Sequence, residues 1–191
     1  GANQTLTTDM VDRMAEVISG AAFVLVQLEI PIAVVSHLVR IAHELGTKVV
    51  LNPAPATDLP ESLFKDLYLI TPNETEAHAL TGIPVNDLTG ARQAAAKLRA
   101  RGVRQVIITM GAKGAYLQSD DLDELIEGFP VLAVDTTAAG DTFNGALTVG
   151  LSEGMSLTEA IRFANQAAAL SVTRPGAQSS IPSRAEVENF N

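Results

Sequence analysis

Residues 21–55 read AAFVLVQLEIPIAVVSHLVRIAHELGTKVVLNPAP, and their order decides the fold. FVLVQLE (23–29) is an apolar run of strand length closed by a proline, which predicts a buried strand. PIAVVSHLVRIAHELG (31–46) then repeats apolar residues at helical spacing and ends on Gly46, a helix followed by its stop. KVVLNPAP (48–55) is a strand again. Strand, helix, strand at this spacing calls for right-handed crossovers and a parallel sheet with helices on both faces.

The alternation continues outward from that core. Upstream, LTTDMVDRMAEVIS (6–19) predicts one helix capped by Thr7 or Thr8. Downstream come the strand YLITPN (68–73), the helices NETEAHALTG (73–82) and GARQAAAKLRARG (90–102), and the strand QVIITMG (105–111). GAYLQSD (114–120) and IEGFPVLAV (126–134) predict two shorter strands, with the acidic DDLDEL (120–125) as a solvated turn between them. DTFNGALTVGLSEG (141–154) and LTEAIRFANQAAALSVTRPG (157–176) close the pattern as helices, the second opened by a capping box of Ser156 and Glu159. No internal repeat, low-complexity tract or linker interrupts the series, so residues 1–191 are expected to form a single α/β domain. The start, Gly1-Ala2-Asn3, carries neither an initiator Met nor a signal pattern, and no strand precedes it. It reads as the cut end of a longer chain.

Composition narrows the function. At 191 residues and 47% hydrophobic content the chain can bury a sizeable core. Its most apolar stretch carries Gln27, Glu29 and Pro31, which argues against a membrane span. A net charge of −9 argues against broad contact with nucleic acid. With no cysteine, disulfides and thiol catalysis are excluded, which fits a reducing cytoplasm.

In open α/β sheets, ligands sit beyond the C-terminal ends of strands, at helix N-termini. Four loops meet that description: LNPAPA (51–56), TPNETE (71–76), TMGAKG (109–114) and DTTAAGD (135–141). Neither G-x-G-x-x-G nor G-x-x-x-x-G-K-[ST] is present, so a phosphate would have to be bound in another way. DTTAAGD offers one. If a helix begins at Gly140-Asp141, the N–H groups of Ala138, Ala139, Gly140 and Asp141 can face one pocket, aided by the helix dipole. A carboxylate beside that pocket is placed to accept a proton from an attacking hydroxyl. The competing reading is a plain N-cap by Asp.

VDTTAAGDTFNGAL (134–147) strongly resembles the C-terminal signature of the ribokinase or PfkB-type carbohydrate kinases. QLE, NPAPA, TPNETEA, ITMGAKG and TRPGAQ match segments of that family in the same order, so the resemblance covers essentially the whole chain. It implies a ribokinase-like sheet, mostly parallel with helices on both faces. It also implies an ATP-dependent sugar kinase acting on the 5-hydroxyl of ribose. Asp141 matches the family's catalytic base, and Ala138, Ala139 and Gly140 match the anion hole for the transferring phosphoryl group.

Other roles are implied in the same way. Asn73 and Glu76 match residues facing the ATP phosphates and hydrated magnesium, although an Asn cap with Glu three residues on would look identical. Thr109, Met110, Gly111, Ala112, Lys113 and Gly114 match the nucleotide loop, where Gly111 and Gly114 would let the backbone approach ATP. Lys113 either adds charge there or is a solvated turn lysine. Asn165 matches a position beside the nucleoside. Glu29 matches a sugar contact, or is a charge leaving the core at a strand end. Asp135, Thr137, Ser171, Arg174, Gly176 and Ser180 match two loops that enclose a monovalent cation, potassium, mostly through backbone carbonyls.

His37, His43 and His78 lack the spacing of a helical metal pair. Phe143, Leu147 and Leu151 repeat at helical spacing and are expected in the core. Family members carry about another third of chain ahead of the segment matching Gly1, with the first strands, a lid and most sugar-binding residues. In a full-length parent the resemblance implies ATP and a small sugar as partners, and a homodimer. The alternatives are the same chemistry on deoxyribose, another small sugar or a nucleoside, or a non-catalytic nucleotide- or sugar-binding regulator.

Overall fold

The computed structural model describes residues 1–190. Its strands are β1 Phe23–Val26, β2 Lys48–Leu51, β3 Leu69–Ile70, β4 Gln105–Thr109, β5 Gly114–Gln118 and β6 Asp123–Glu127. They form one sheet in chain order. The first four are parallel, with Leu25 beside Val50, Leu51 beside Ile70, and Ile70 beside Val106. The helices are α1 Thr8–Arg13, α2 Ala15–Gly20, α3 Ile32–Glu44, α4 Glu61–Phe64, α5 Glu74–Thr81, α6 Leu88–Ala100, α7 Ala139–Ser152, α8 Leu157–Ser171 and α9 Arg184–Glu188. This is the mostly parallel α/β sheet that the alternation predicts. Among the described residues no helix is long and apolar enough to cross a membrane.

The backbone falls into two compact units: Gly1–Thr109 with Tyr116–Glu124, and Met110–Ala115 with the chain from Leu125 onward. In the first unit, Val49, Val50, Leu51, Leu69, Ile70, Val106, Ile107 and Ile108 are all buried. Strands covered on both faces read as such unbroken apolar runs. α3 contributes Val34, Val35, Val39 and Ala42 to this core, and α6 contributes Ala91, Ala94, Ala95 and Leu98.

Four local readings are corrected in this unit. The strand expected to be buried over 23–29 ends at Val26 and is mostly half-buried, with Leu25 39% exposed. The helix expected over 6–19 is two helices, because the Met14 N–H turns back to Val11 O at 2.9 Å and closes a three-residue turn. Its cap is Thr7, whose side chain accepts from the Met10 N–H. α6 starts at Leu88, ahead of the expected Gly90, because the Asp87 carboxylate accepts the Gly90 N–H at 2.8 Å. The acidic stretch 120–125 is not all turn. Ser119 closes a tight loop with Leu122, and β6 begins at Asp123, whose carboxylate accepts from the Tyr116 hydroxyl at 2.9 Å and from Arg92.

In the second unit, β6 ends at Glu127 and no strand runs through 129–134. Pro130 has no N–H to offer a ladder, and the Val134 N–H goes to Val172 O at 2.7 Å. Leu132 is left 86% exposed, so apolar composition alone was a misleading signal there. α7 buries Phe143 and Leu147, as their spacing predicts, whereas Leu151 in the last turn is only half-buried. It packs closely on α8, where a methyl at Gly150 would lie 3.3 Å from the Ala160 Cβ. The Ser156–Glu159 capping box opens α8 as expected. α9, opened by a second box of Ser183 and Glu186, lies in a stretch for which the sequence reading gave no element.

Candidate active site

Within the first unit the chain brings three of the expected residues together. Asn73 sits between β3 and α5, and its side chain accepts the Glu76 N–H at 2.8 Å while the Glu76 carboxylate Oε2 accepts the Asn73 N–H at 2.9 Å. Both halves of the capping box are therefore made. Burial pushes the Glu76 carboxyl up, and the bond from Asn73 N–H pulls the other way. Thr109 forms a parallel bridge with Asn73, and its N–H bonds to Pro72 O at 3.0 Å. Glu29 lies past the end of β1 and is exposed. Its carboxylate accepts from Asn3 at 3.4 Å and its carbonyl from the Gln4 amide at 3.2 Å.

In the second unit, Met110–Gly114 form a compact turn in which the Met110 N–H bonds to Gly114 O and the Lys113 N–H to Met110 O. The two glycines of this loop do different things. A methyl on Gly111 would meet open space, whereas one on Gly114 would lie 2.1 Å from Ile126 O and 2.4 Å from Gly128 N. Gly114 is thus required by internal packing, and Gly111 is the one with open surroundings.

The DTTAAGD segment opens α7. Ala138 is its N-cap, with φ 61 and ψ 11, the only non-glycine of positive φ among the described residues. Such a conformation is costly for an alanine and makes no side-chain cap. The Ala139 N–H turns back to Thr136 O at 3.3 Å. Gly140 and Asp141 occupy the next two helical positions, where an α-helix offers no internal acceptor. Asp141 is exposed in the first turn, and Asn144 reaches back one turn to bond Gly140 O at 2.9 Å.

Immediately upstream, Asp135 joins two loops. One carboxylate oxygen accepts the Thr137 N–H and the other accepts the Gly176 N–H, both at 2.9 Å. The bond from Thr137, reinforced by Gly176, holds the Asp135 carboxyl at about 2. The neighbouring side chains are locally engaged. Ser171 and Ser180 donate to the Ala168 and Ala177 carbonyls, and Arg174 pairs with Glu186 at 2.6 Å. Among the described residues no group of three or more His, Asp or Glu could hold a metal.

Asn165 is buried on α8, and its amide nitrogen donates to Ile126 O at 3.1 Å and Glu127 O at 3.2 Å. Sequence reasoning missed Gly128, the partner of Gly114 in this packing. The available signal was a glycine inside the stretch 126–134 that the sequence predicts as a strand, where glycine often marks close backbone approach.

The profile of the pfkB family carbohydrate kinases matches residues 2–184. The chain belongs to this family. A ribokinase from Haemophilus influenzae is 49% identical over 191 residues, covering 100% of this chain and 62% of that protein. The crystal structure of ribokinase from Thermotoga maritima superposes with a TM-score of 0.91 at 42% identity, covering 100% of this chain and 62% of that one. The structure of Arabidopsis thaliana ribokinase complexed with ribose and ATP gives a TM-score of 0.87 at 36% identity, covering 94% and 58%. The chain therefore spans about three-fifths of the length of these pfkB-family relatives.

Proposed function

We propose that these residues form the nucleotide-binding and phosphoryl-transfer part of an ATP-dependent kinase that phosphorylates the 5-hydroxyl of ribose. Similarity to ribokinases along the whole chain supports this reading, as does a relative whose structure holds ribose and ATP. The observation that carries it is the start of α7. A strained alanine opens a long helix without a side-chain cap and sets a carboxylate in its first turn.

In this mechanism the Asp141 carboxylate accepts the hydroxyl proton as the sugar oxygen attacks the γ-phosphorus. The bond from that phosphorus to the β,γ-bridging oxygen breaks, and ADP leaves with the electron pair. General-base help of this kind contributes about 10²–10⁴-fold. The amides of Ala138, Gly140 and Asp141, with Ala139 between them bonded back to Thr136 O, and the positive end of α7 steady the phosphoryl oxygens. By the family resemblance Asn73 serves the phosphates, residues 109–114 and Asn165 serve the nucleotide, and Glu29 and Asp141 each serve the sugar.

Magnesium and potassium complete this reading. Glu76 commits Oε2 to its own helix start, so Oε1 is the oxygen that would hold hydrated magnesium. Bound there, magnesium supplies charge neutralisation to the phosphates. Potassium would be held where Asp135 staples Thr137 to Gly176, next to Ser171, Arg174 and Ser180. By the family resemblance the ligands would be mostly backbone carbonyls. Residues 1–191 would then work as one α/β kinase domain in the cytoplasm, with a small sugar and ATP as partners, no nucleic acid, and a homodimeric full-length protein.

An ATP-consumption assay of the full-length protein across ribose, deoxyribose, hexoses and nucleosides tests this reading. Ribose is expected to give the highest kcat/KM. Turnover on none of them, or on a nucleoside alone, would overturn it.

A further inference from the structure

The strip Ile126–Gly128, which carries no motif, is gripped by two of the elements assigned to the nucleotide. A methyl on Gly128 would lie 2.6 Å from Ala112 O and 2.9 Å from Gly114 N. One on Gly114, whose φ is +101, would strike the carbonyl and amide groups of residues 126–128. The two segments thus touch backbone to backbone, and the Gly128 N–H donates to Lys113 O at 3.2 Å. From α8, Asn165 spends its side-chain amide on Ile126 O and Glu127 O. With both N–H bonds engaged, only the Asn165 oxygen is left for any other partner.

We infer that Gly128 and Asn165 are positioning residues for the nucleotide: Asn165 fixes the strip Ile126–Gly128, and the side-chain-free seat at Gly128 sets the height of the loop Met110–Gly114. This rests on the reading of that loop as the nucleotide loop. Buried amide-to-carbonyl bonds are expensive to leave unmade, so the strip follows Asn165 closely. Close-packed backbone cannot absorb a new methyl without displacement. Because the loop's open side is at Gly111, a loop lifted off Gly128 shifts toward the space a ligand would fill.

The test uses the full-length protein and two variants. Asn165→Asp keeps the size and the acceptor but removes both donors, and Gly128→Ala adds the methyl. Each is expected to weaken ATP binding in equilibrium titration by about tenfold or more, the size of effect that follows from losing one or two buried bonds. KM for ATP should rise in parallel and kcat/KM for ATP fall with it, while KM for ribose at saturating ATP moves less. In the ligand-free protein, hydrogen exchange should speed up at the Met110 and Lys113 amides and stay unchanged in α7. Should Gly128→Ala fail to fold, the isosteric Asn165→Asp carries the test.

Wild-type ATP affinity and unaltered loop exchange in Asn165→Asp would overturn the inference. So would exchange that rises uniformly through the second unit, since that marks a general structural role. If the wild-type protein itself binds no ATP, the proposed function fails, while loop exchange still decides whether these residues position the loop.

Discussion

Two of the helix starts that carry a carboxylate in the first turn, those of α5 and α7, are built in opposite ways. At α5, Asn73 and Glu76 satisfy each other's backbone N–H groups, and Asn73 has an ordinary extended backbone. At α7, the N-cap is an alanine in the left-handed region that offers no side chain to the amides of the first turn. A good cap is worth about 1 kcal/mol, and a left-handed alanine costs a similar amount. α7 is the longer helix and gives up both. Strain concentrated at a helix start that also presents a carboxylate fits an anion site, where the ligand replaces the missing cap.

That contrast can be broken most severely at Ala138. Asp tolerates the left-handed region and favours helix starts, so Ala138→Asp should leave thermal stability unchanged or raised. It would also put a negative charge where the phosphoryl group is expected. Turnover should fall by about 10²-fold or more, the range seen when a comparable anion-stabilising donor is lost. Near-normal turnover would remove the anion site from α7.

At α5 the expected effect is on stability. Asn73→Ala removes the cap and should cost about 1 kcal/mol, roughly 2–4 °C in Tm for a chain of this size. Thermal unfolding of the variant checks it. A Tm equal to that of the wild type would erase the distinction between the two starts.

The smallest effect concerns the loops beside α7. The Asp135 carboxyl is held at about 2 against an ordinary 3.8 by its bonds from Thr137 and Gly176. Glu186 is held at about 2 against 4.5, first by the Ser183 N–H and then by Arg174. Folded values below the unfolded ones mean that these contacts stabilise fully above the ordinary values and are lost as pH falls through the folded ones. The Gly176 and Ser183 amide signals should therefore hold steady above about pH 4.5 and shift as pH drops toward 2. Signals unchanged across that window would mean the staples are absent in solution.

The parallel α/β order was legible because each early strand is an unbroken apolar run and each helix has its own period. The capping boxes at Asn73 and Ser156 were legible as spacing. Other features depend on tertiary partners. Met14 breaks a helix by a local turn that its composition does not signal. β6 starts inside an acidic stretch because Arg92 and Tyr116 engage Asp123, residues remote or across a turn. Phe129–Val134 has strand composition but a proline without an N–H. At the candidate site, Asp141 stood out by motif. The left-handed backbone of Ala138 could be seen only in three dimensions, since alanine rarely adopts it, and a glycine within a predicted strand hints at close approach while nothing in the sequence pairs Gly128 with Gly114.

The most direct test of Asp141 at the uncapped start of α7 is a single-turnover measurement of phosphoryl transfer from ATP to ribose by full-length Asp141→Asn. The amide keeps the shape but cannot take the proton, so the transfer rate should fall by at least about 10²-fold while ATP and ribose still bind. A transfer rate within a few-fold of wild type would contradict the assignment of Asp141 as the base.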